Sequence, residues 1–171
     1  MKDAATRTFS VRILGLGAEG VRALPAFERD LRAAWGAAGR LEVLPQEAGD
    51  DVRRARALLR RWCDRDRADV VLTLGRSGHL PEDFAPEMTA ALLERTLPGI
   101  EERMCLAPPR QPLDLLFRGR AGFRGATLVV NLPARRSRAG VIVRLLAPVI
   151  VHALGKARGD GGECARPGAT R

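Results

Sequence analysis

Three short apolar segments, each followed by a polar loop, constrain the fold of this chain most strongly. They are FSVRILGL (9–16), ADVVLTL (68–74) and GATLVVNLP (125–133). The central one is apolar throughout its middle, as expected of a strand that is covered on both faces. Because strands that alternate with helices build parallel sheets, the sequence predicts a three-layer α/β domain with a mostly parallel sheet.

Helical patterns separate these strands along the chain. Pro25 and Gly39 bound the first, since proline favours the first turn of a helix and glycine its end. A short strand is predicted at 41–44, and 112–118 is ambiguous between helix and strand. Helices are predicted at 25–39, 50–65, 87–94, 98–106 and 137–154. One domain is therefore expected over 9–155, with disordered tails at 1–8 and 156–171.

The net charge of +9 does not by itself predict a nucleic-acid partner. Nearly all of the positive charge is arginine, and the arginines alternate with acids, as in RRARALLRRWCDRDRAD. Proteins that bind nucleic acid more often combine a basic stripe with stacking aromatic residues, and this chain has no tyrosine. We therefore expect no nucleic-acid partner, and a site for an anionic ligand fits the charge equally well.

The cysteines and the N-terminus predict a cytoplasmic protein without a membrane anchor. Cys63, Cys105 and Cys164 are scattered and lack CxxC spacing, so neither a zinc site nor a disulfide framework is expected. Residues 1–8 lack the apolar core of a signal peptide. The longest apolar run, 141–154, is interrupted by Arg144, Pro148 and His152 and is too short to span a bilayer.

The first loop contains GLGAEG (15–20), which fits the G-x-G-x-x-G pattern of dinucleotide sites. That pattern is common by chance in a glycine-rich chain. A dinucleotide site also needs an acid at the end of the second strand, and the candidate, Glu47, lies beyond Pro45. A tight strand-to-helix turn is therefore the favoured interpretation of these glycines.

The second loop, TLGRSGHLPED (73–83), has the composition of an anion site. Gly75 and Gly78 allow the backbone to approach a ligand, and successive N–H groups in such a loop can hold an anion. Asp83 in this loop and Asp50 after the second strand should lie on one rim of the sheet, where they could share Mg²⁺. Their alternatives are a helix cap for Asp50 and a cap or turn for Asp83.

From residue 49 to 154 the chain resembles the molybdopterin adenylyltransferase family of molybdenum cofactor biosynthesis, which includes MogA, MoaB and the gephyrin G domain. The segments TLGRSG (73–78) and DFAPE (83–87) resemble the family motifs TTGGTG and DVTPE at the same spacing. Further segments align in order with the family. They are GDD at 49–51, GIEERM at 99–104, LFRGRAGFRGATLVVNLPA at 116–134 and APVIVHAL at 147–154.

The resemblance implies a MogA/MoaB-like fold, commonly trimeric, that adenylylates molybdopterin with Mg-ATP. It implies that Asp50 and Asp83 are the catalytic, Mg²⁺-binding acids. It also implies a set of residues that bind ligand: Thr73, Gly75, Arg76, Ser77, Gly78, Glu87, Arg118, Asn131 and Pro133. Arg118 would contact phosphate, with a surface ion pair as its alternative. Other proteins of molybdenum cofactor biosynthesis are possible partners.

The chain departs from the family pattern at its loops. Arg76 and Ala134 replace glycines, Leu74 replaces a threonine, and the first-loop motif is absent. A non-glycine residue at positive φ would cost about 1 kcal/mol or more. Arg76 would either fill the space of the ligand or contact its phosphate. Two hypotheses follow: a divergent enzyme, or a homologue without activity that binds a pterin or another anion, or only assembles.

Overall fold

The computed structural model describes residues 8–35, 39–108 and 111–157, the last three by backbone alone, and contains a six-stranded sheet. Its order is β2-β1-β3-β6-β5-β4, and the first four strands are parallel while the last two pair antiparallel. The strands are β1 (Thr8–Leu16), β2 (Arg40–Gly49), β3 (Val70–Leu74), β4 (Arg95–Thr96), β5 (Ala121–Arg124) and β6 (Thr127–Leu132). The predicted mostly parallel sheet is confirmed.

Helices cover both faces of the sheet, which confirms the predicted three layers. They are α1 (Gly17–Trp35), α2 (Val52–Arg60, continued by a π-helical turn, Arg61–Arg65), α3 (Ala85–Ala90), α4 (Pro98–Cys105) and α5 (Arg136–Ala157), with a 3₁₀ turn at Pro112–Leu116. One buried cluster joins the sheet to α1, α4 and α5, and a second joins it to α2 and α3.

The central strand β3 is buried on both faces. Val70, Leu72 and Leu74 pack in the cluster that contains α1 and α5, whereas Val71 packs in the cluster that contains α2. All four are at most 1% exposed. Burial of each such side chain contributes about 1.5–3 kcal/mol, so this strand anchors the loop that follows it.

Several predicted boundaries are wrong. The first helix begins at Gly17 rather than Pro25, because Gly17 has φ +64° and turns the chain straight from β1 into α1. β2 continues to Gly49, since Pro45 is tolerated on an edge strand that pairs only with β1. The short strands β4 and β5 were not predicted. Thr8 belongs to β1 and 156–157 to α5, while the rest of the predicted tails lies outside the described residues.

The last helix is apolar enough to raise the question of a membrane span. Its segment Arg136–Leu154 has the length and composition of such a span, with a mean hydropathy of 1.5. Half of it is buried inside the domain, where Ile142, Leu146 and Ile150 pack against the sheet. It is the core helix of one layer.

The loops after β1 and β3 are in direct backbone contact. A Cβ at Gly20 would lie 2.0 Å from the Leu74 carbonyl oxygen, and a Cβ at Gly75 would lie 2.4 Å from the Leu16 carbonyl oxygen. Only glycine allows these approaches. The glycines of the first loop therefore serve the strand-to-helix turn and its packing, as the turn interpretation predicted.

We expect Gly20→Ala to destabilise the domain by about 1–3 kcal/mol, because the new methyl group must displace backbone. The loss should outweigh the gain of up to about 1 kcal/mol in helix propensity. Urea unfolding measures the difference. Gly99→Ala is the matched control, since a Cβ there meets nothing within 4 Å. Equal stabilities for the Gly20→Ala and Gly99→Ala proteins would contradict the close contact.

Candidate functional site

The loop between β3 and α3 is held in a fixed, partly left-handed conformation. Gly75 has φ +98° and Arg76 has φ +50°, so position 76 does require the conformation that favours glycine. The Gly75 N–H donates to the Leu132 carbonyl (3.0 Å), and the Ala85 N–H donates to the Arg76 carbonyl (2.9 Å). Ala134 is not among the positive-φ residues, so its replacement of glycine brings no such strain.

Successive backbone N–H groups of this loop indicate an anion-binding site. The N–H groups of Arg76, Ser77, Gly78 and His79 donate to no acceptor in the part of the chain that the structure describes. The Ser77 hydroxyl donates to the Leu132 carbonyl (3.2 Å) and fixes the middle of the loop. A run of free amides in a turned loop forms a concave site for a phosphate or carboxylate.

A cavity of about 640 Å³ opens beside these amides, within the range of small-molecule sites. The loop, the first turns of α1, the 3₁₀ turn and Pro133 form its wall. Its ionisable lining residues are Glu19, Arg22, Arg76, His79, Glu82, Asp83, Asp114 and Arg138. The cavity lies at the carboxyl ends of β1, β3 and β6, where parallel sheets bind their ligands.

The Arg76 side chain crosses the rim from β3 to the start of α2. Its Nε and Nη2 atoms lie 2.7 and 2.5 Å from Asp50 Oδ1, and its Nη1 lies 3.9 Å from Glu82 Oε1. A Cβ at Gly17 would lie 2.7 Å from Arg76 Nε, so the guanidinium also packs on the first loop. Arg76 therefore joins three rim segments.

The two predicted metal ligands are engaged with protein groups. Asp50 accepts hydrogen bonds from the Arg76 guanidinium, and Asp83 Oδ2 accepts from the N–H of Leu80, three residues earlier (2.9 Å). The cap of α2 is the neighbour Asp51, whose Oδ1 accepts from the Arg54 N–H. Among the described residues no group of three or more His, Cys, Asp or Glu could hold a metal. Asp50 and Asp83 thus each have a protein partner in this structure, and their binding of Mg²⁺ stays a prediction.

Arg118 holds the loop from outside the large cavity. Its Nε donates to the Gly78 carbonyl (2.6 Å), its Nη2 donates to the Asp83 carbonyl (3.2 Å), and its Nη1 pairs with Glu87 Oε1 (2.5 Å). The hydrogen bond from Arg118 holds the pKa of Glu87 below its ordinary value. Both side chains line a smaller cavity of about 410 Å³. The ion-pair alternative thus describes Arg118 in this structure.

Thr73 and Asn131 lie beneath the loop and are fully buried. Asn131 Nδ2 donates to the hydroxyls of Thr73 and Thr89 (both 2.8 Å), and its Oδ1 accepts from the Arg120 N–H (3.0 Å). Neither side chain reaches the cavity. In this structure the Asn131 amide links β3, β6 and α3 under the rim, and contact of the two side chains with a ligand stays a prediction.

Sequence reasoning missed the cations that α1 and α5 bring to the cavity. Arg22 is exposed on α1 and has no ionic partner among the described residues. Arg138 is 3% exposed, donates to the carbonyls of Met104 and Cys105, and lies 3.3 Å from Asp114. Arg22 could have been found, because it follows the first strand on the same rim as the second loop.

The described cysteines offer no activated nucleophile. Cys63 and Cys105 are free thiols. Burial raises the pKa of Cys63 to about 12 and also raises the pKa of Cys105, so both stay protonated near neutral pH. The site's chemistry therefore depends on its amides, arginines and carboxylates.

Known proteins match this chain over most of its length. A family model described as a probable molybdopterin binding domain matches residues 30–152. The chain is 30% identical over 93 residues to molybdopterin adenylyltransferase of Helicobacter pylori, covering 54% of this chain and 53% of that protein. It is 34% identical over 97 residues to the molybdenum cofactor synthesis protein cinnamon of Drosophila melanogaster, covering 56% of this chain and 16% of that protein. The chain thus spans about half the length of the Helicobacter protein and about a sixth of the length of cinnamon.

Solved structures share the fold over almost their whole length. The molybdopterin biosynthesis enzyme MoaB from Thermus thermophilus superposes with a TM-score of 0.75 at 35% identity, covering 88% of this chain and 97% of that one. A MogA structure superposes with a TM-score of 0.75 at 28% identity, covering 86% and 99%. These matches confirm the resemblance and the MogA/MoaB-like fold that the sequence predicted.

Proposed function

The chain belongs to the molybdopterin-binding domain family of molybdenum cofactor biosynthesis, and from that membership we propose that it binds molybdopterin at the loop of residues 75–83. One observation carries the proposal. The amides of 76–79 have no acceptor among the described residues and lie beside the 640 Å³ cavity. The phosphate of the pterin supplies the acceptors that these amides lack.

We further propose that the chain transfers an adenylyl group to the bound pterin. A phosphate oxygen of molybdopterin attacks the α-phosphorus of ATP, a new P–O–P linkage forms, and pyrophosphate leaves. This chemistry requires positioning and charge neutralisation rather than a protein nucleophile, which suits a site of amides and arginines. A relative at 30% identity is named molybdopterin adenylyltransferase.

The residues that would bind Mg²⁺ already have partners within the protein, unlike the amides proposed to bind the pterin. The family resemblance assigns Mg²⁺ to Asp50 and Asp83, and the ion would neutralise phosphate charge there. In this structure Asp50 is paired with Arg76, and Asp83 accepts from the Leu80 N–H. The cations that this chain itself offers to a phosphate are Arg22 and Arg76.

A second function, ligand binding without transfer, has one specific observation in its favour. The proposed catalytic acid Asp50 is held by Arg76, the residue that replaces a glycine of the family motif. A protein of this kind would bind the pterin and hand it on to other proteins of molybdenum cofactor biosynthesis. The two functions differ only in whether product forms.

We expect purified protein with molybdopterin and Mg-ATP to form adenylylated molybdopterin and pyrophosphate, measured by chromatography and mass spectrometry. Arg22→Ala should weaken pterin binding about 10- to 100-fold, the effect of losing one charged hydrogen bond. The matched control is Arg56→Ala, an exposed arginine of α2 without an ionic partner among the described residues. Pterin binding without adenylylated product would support ligand binding without transfer. Absence of pterin binding would contradict both proposed functions.

The same resemblance leads us to propose a cytoplasmic homotrimer. Leu113 and Leu115 are 73% and 76% exposed on the 3₁₀ turn, and Leu106, at the end of α4, is 46% exposed. Apolar side chains exposed together are typical of surfaces that pair with protein. Light scattering should give three times the monomer mass of 18.5 kDa, and a monomer at all concentrations would contradict the proposal.

A further inference from the structure

The Arg76 guanidinium occupies a place that is built for a cation. Asp50 Oδ1 accepts from two of its nitrogens, and Glu82 Oε1 lies 3.9 Å from the third. Gly17 leaves the space in which the guanidinium lies, since a Cβ there would stand 2.7 Å from Nε. Asp50 and Glu82 thus supply two negative charges, and Gly17 leaves the space, that together fit the Arg76 side chain.

The same place would otherwise be acidic. Asp50, Glu82 and Asp83 all come to this part of the rim, and Glu82 and Asp83 line the cavity itself. A phosphate that approached three carboxylates would need a cation between them. A divalent ion would take the Asp50 carboxylate as its ligand, and one oxygen of that carboxylate already accepts from Arg76.

We propose that the Arg76 guanidinium takes the place of a divalent cation between Asp50 and a bound nucleotide phosphate, so that ATP binds here without Mg²⁺. The inference rests on the proposed function, because it presumes that a nucleotide enters the cavity beside the 75–83 loop. It differs from the family expectation in the source of the positive charge.

The geometry of the guanidinium supports this role. Arginine presents five N–H donors in a planar fork, and Asp50 engages only the Nε and Nη2 side. The Nη1 donors make no hydrogen bond to a described residue, and Arg76 lines the cavity. One guanidinium can therefore bind a carboxylate with one edge and a phosphate with the other, a geometry that suits arginine rather than lysine.

The backbone conformation of Arg76 also supports this role. A φ of +50° is an unfavourable backbone conformation for a residue with a side chain. Such strain persists where the surrounding structure holds the residue in place, and it is concentrated at functional sites. Here the side chain that causes the strain is the one that reaches Asp50 and the cavity.

The test is calorimetric titration of ATP into the full chain, once in EDTA and once in excess Mg²⁺. The wild-type protein should bind ATP in EDTA at least as tightly as in Mg²⁺. Arg76→Gly should weaken binding in EDTA about 10- to 100-fold, the effect of losing a charged hydrogen bond to phosphate, and Mg²⁺ should restore part of it. Arg76→Lys keeps the charge but loses the planar guanidinium, so its ATP affinity in EDTA should lie between those of the wild-type and Arg76→Gly proteins.

Several outcomes distinguish the possibilities. Arg56→Ala removes one positive charge that does not line this cavity and should change neither affinity. Glycine suits a φ of +50°, so Arg76→Gly should fold, and a melting curve verifies it. Wild-type binding that is lost in EDTA would overturn the inference while leaving the proposed function intact, and so would an Arg76→Gly protein that binds equally well in EDTA. Absence of ATP binding in both buffers would overturn nucleotide entry itself.

Discussion

The backbone contact between the ends of β1 and β3 is the constraint on which the rim of this domain depends. Gly20 lies against the Leu74 carbonyl and Gly75 lies against the Leu16 carbonyl, at distances that leave no room for a Cβ. Because the two strands are adjacent and parallel, their loops leave the sheet at the same level. The contact brings α1 and its Arg22 to the loop that carries Arg76.

Hydrogen bonds from several elements hold the loop between β3 and α3 in place. Leu132 accepts from Gly75 and Ser77, Arg118 holds the carbonyls of Gly78 and Asp83, and Asn131 links the strands below. Most of these bonds engage carbonyl groups, which leaves the amides of 76–79 unpaired among the described residues. A phosphate that binds there meets donors that are already oriented, so little ordering is required.

The layers and the loop could be predicted from the sequence, because an apolar run such as 70–74 followed by glycines is a local signal. The strands β4 and β5 could not, since two and four residues are too short to show a period. The role of Asn131 was also out of reach, and the sequence left Arg118 open between a phosphate contact and an ion pair. Whether a polar side chain points up into a cavity or down into the core depends on tertiary packing.

Arg76 illustrates both sides of this limit. The sequence identifies it as an arginine where a glycine is expected, and the structure shows that its backbone does adopt the left-handed conformation. Only the structure reveals that its side chain pairs with Asp50 and packs on Gly17. The substitution and the glycine of the first loop fit each other, so the departure from the family motif is a built feature of this site.

A crystal soaked with ATP in the presence of EDTA tests the central claim most directly. The account predicts a phosphate within hydrogen-bonding distance of the amides of 76–79, with Arg76 bridging that phosphate and Asp50. A nucleotide bound instead in the smaller cavity beside Glu87 and Arg118 would contradict it. So would a phosphate at the loop with Arg76 turned away from both Asp50 and the ligand.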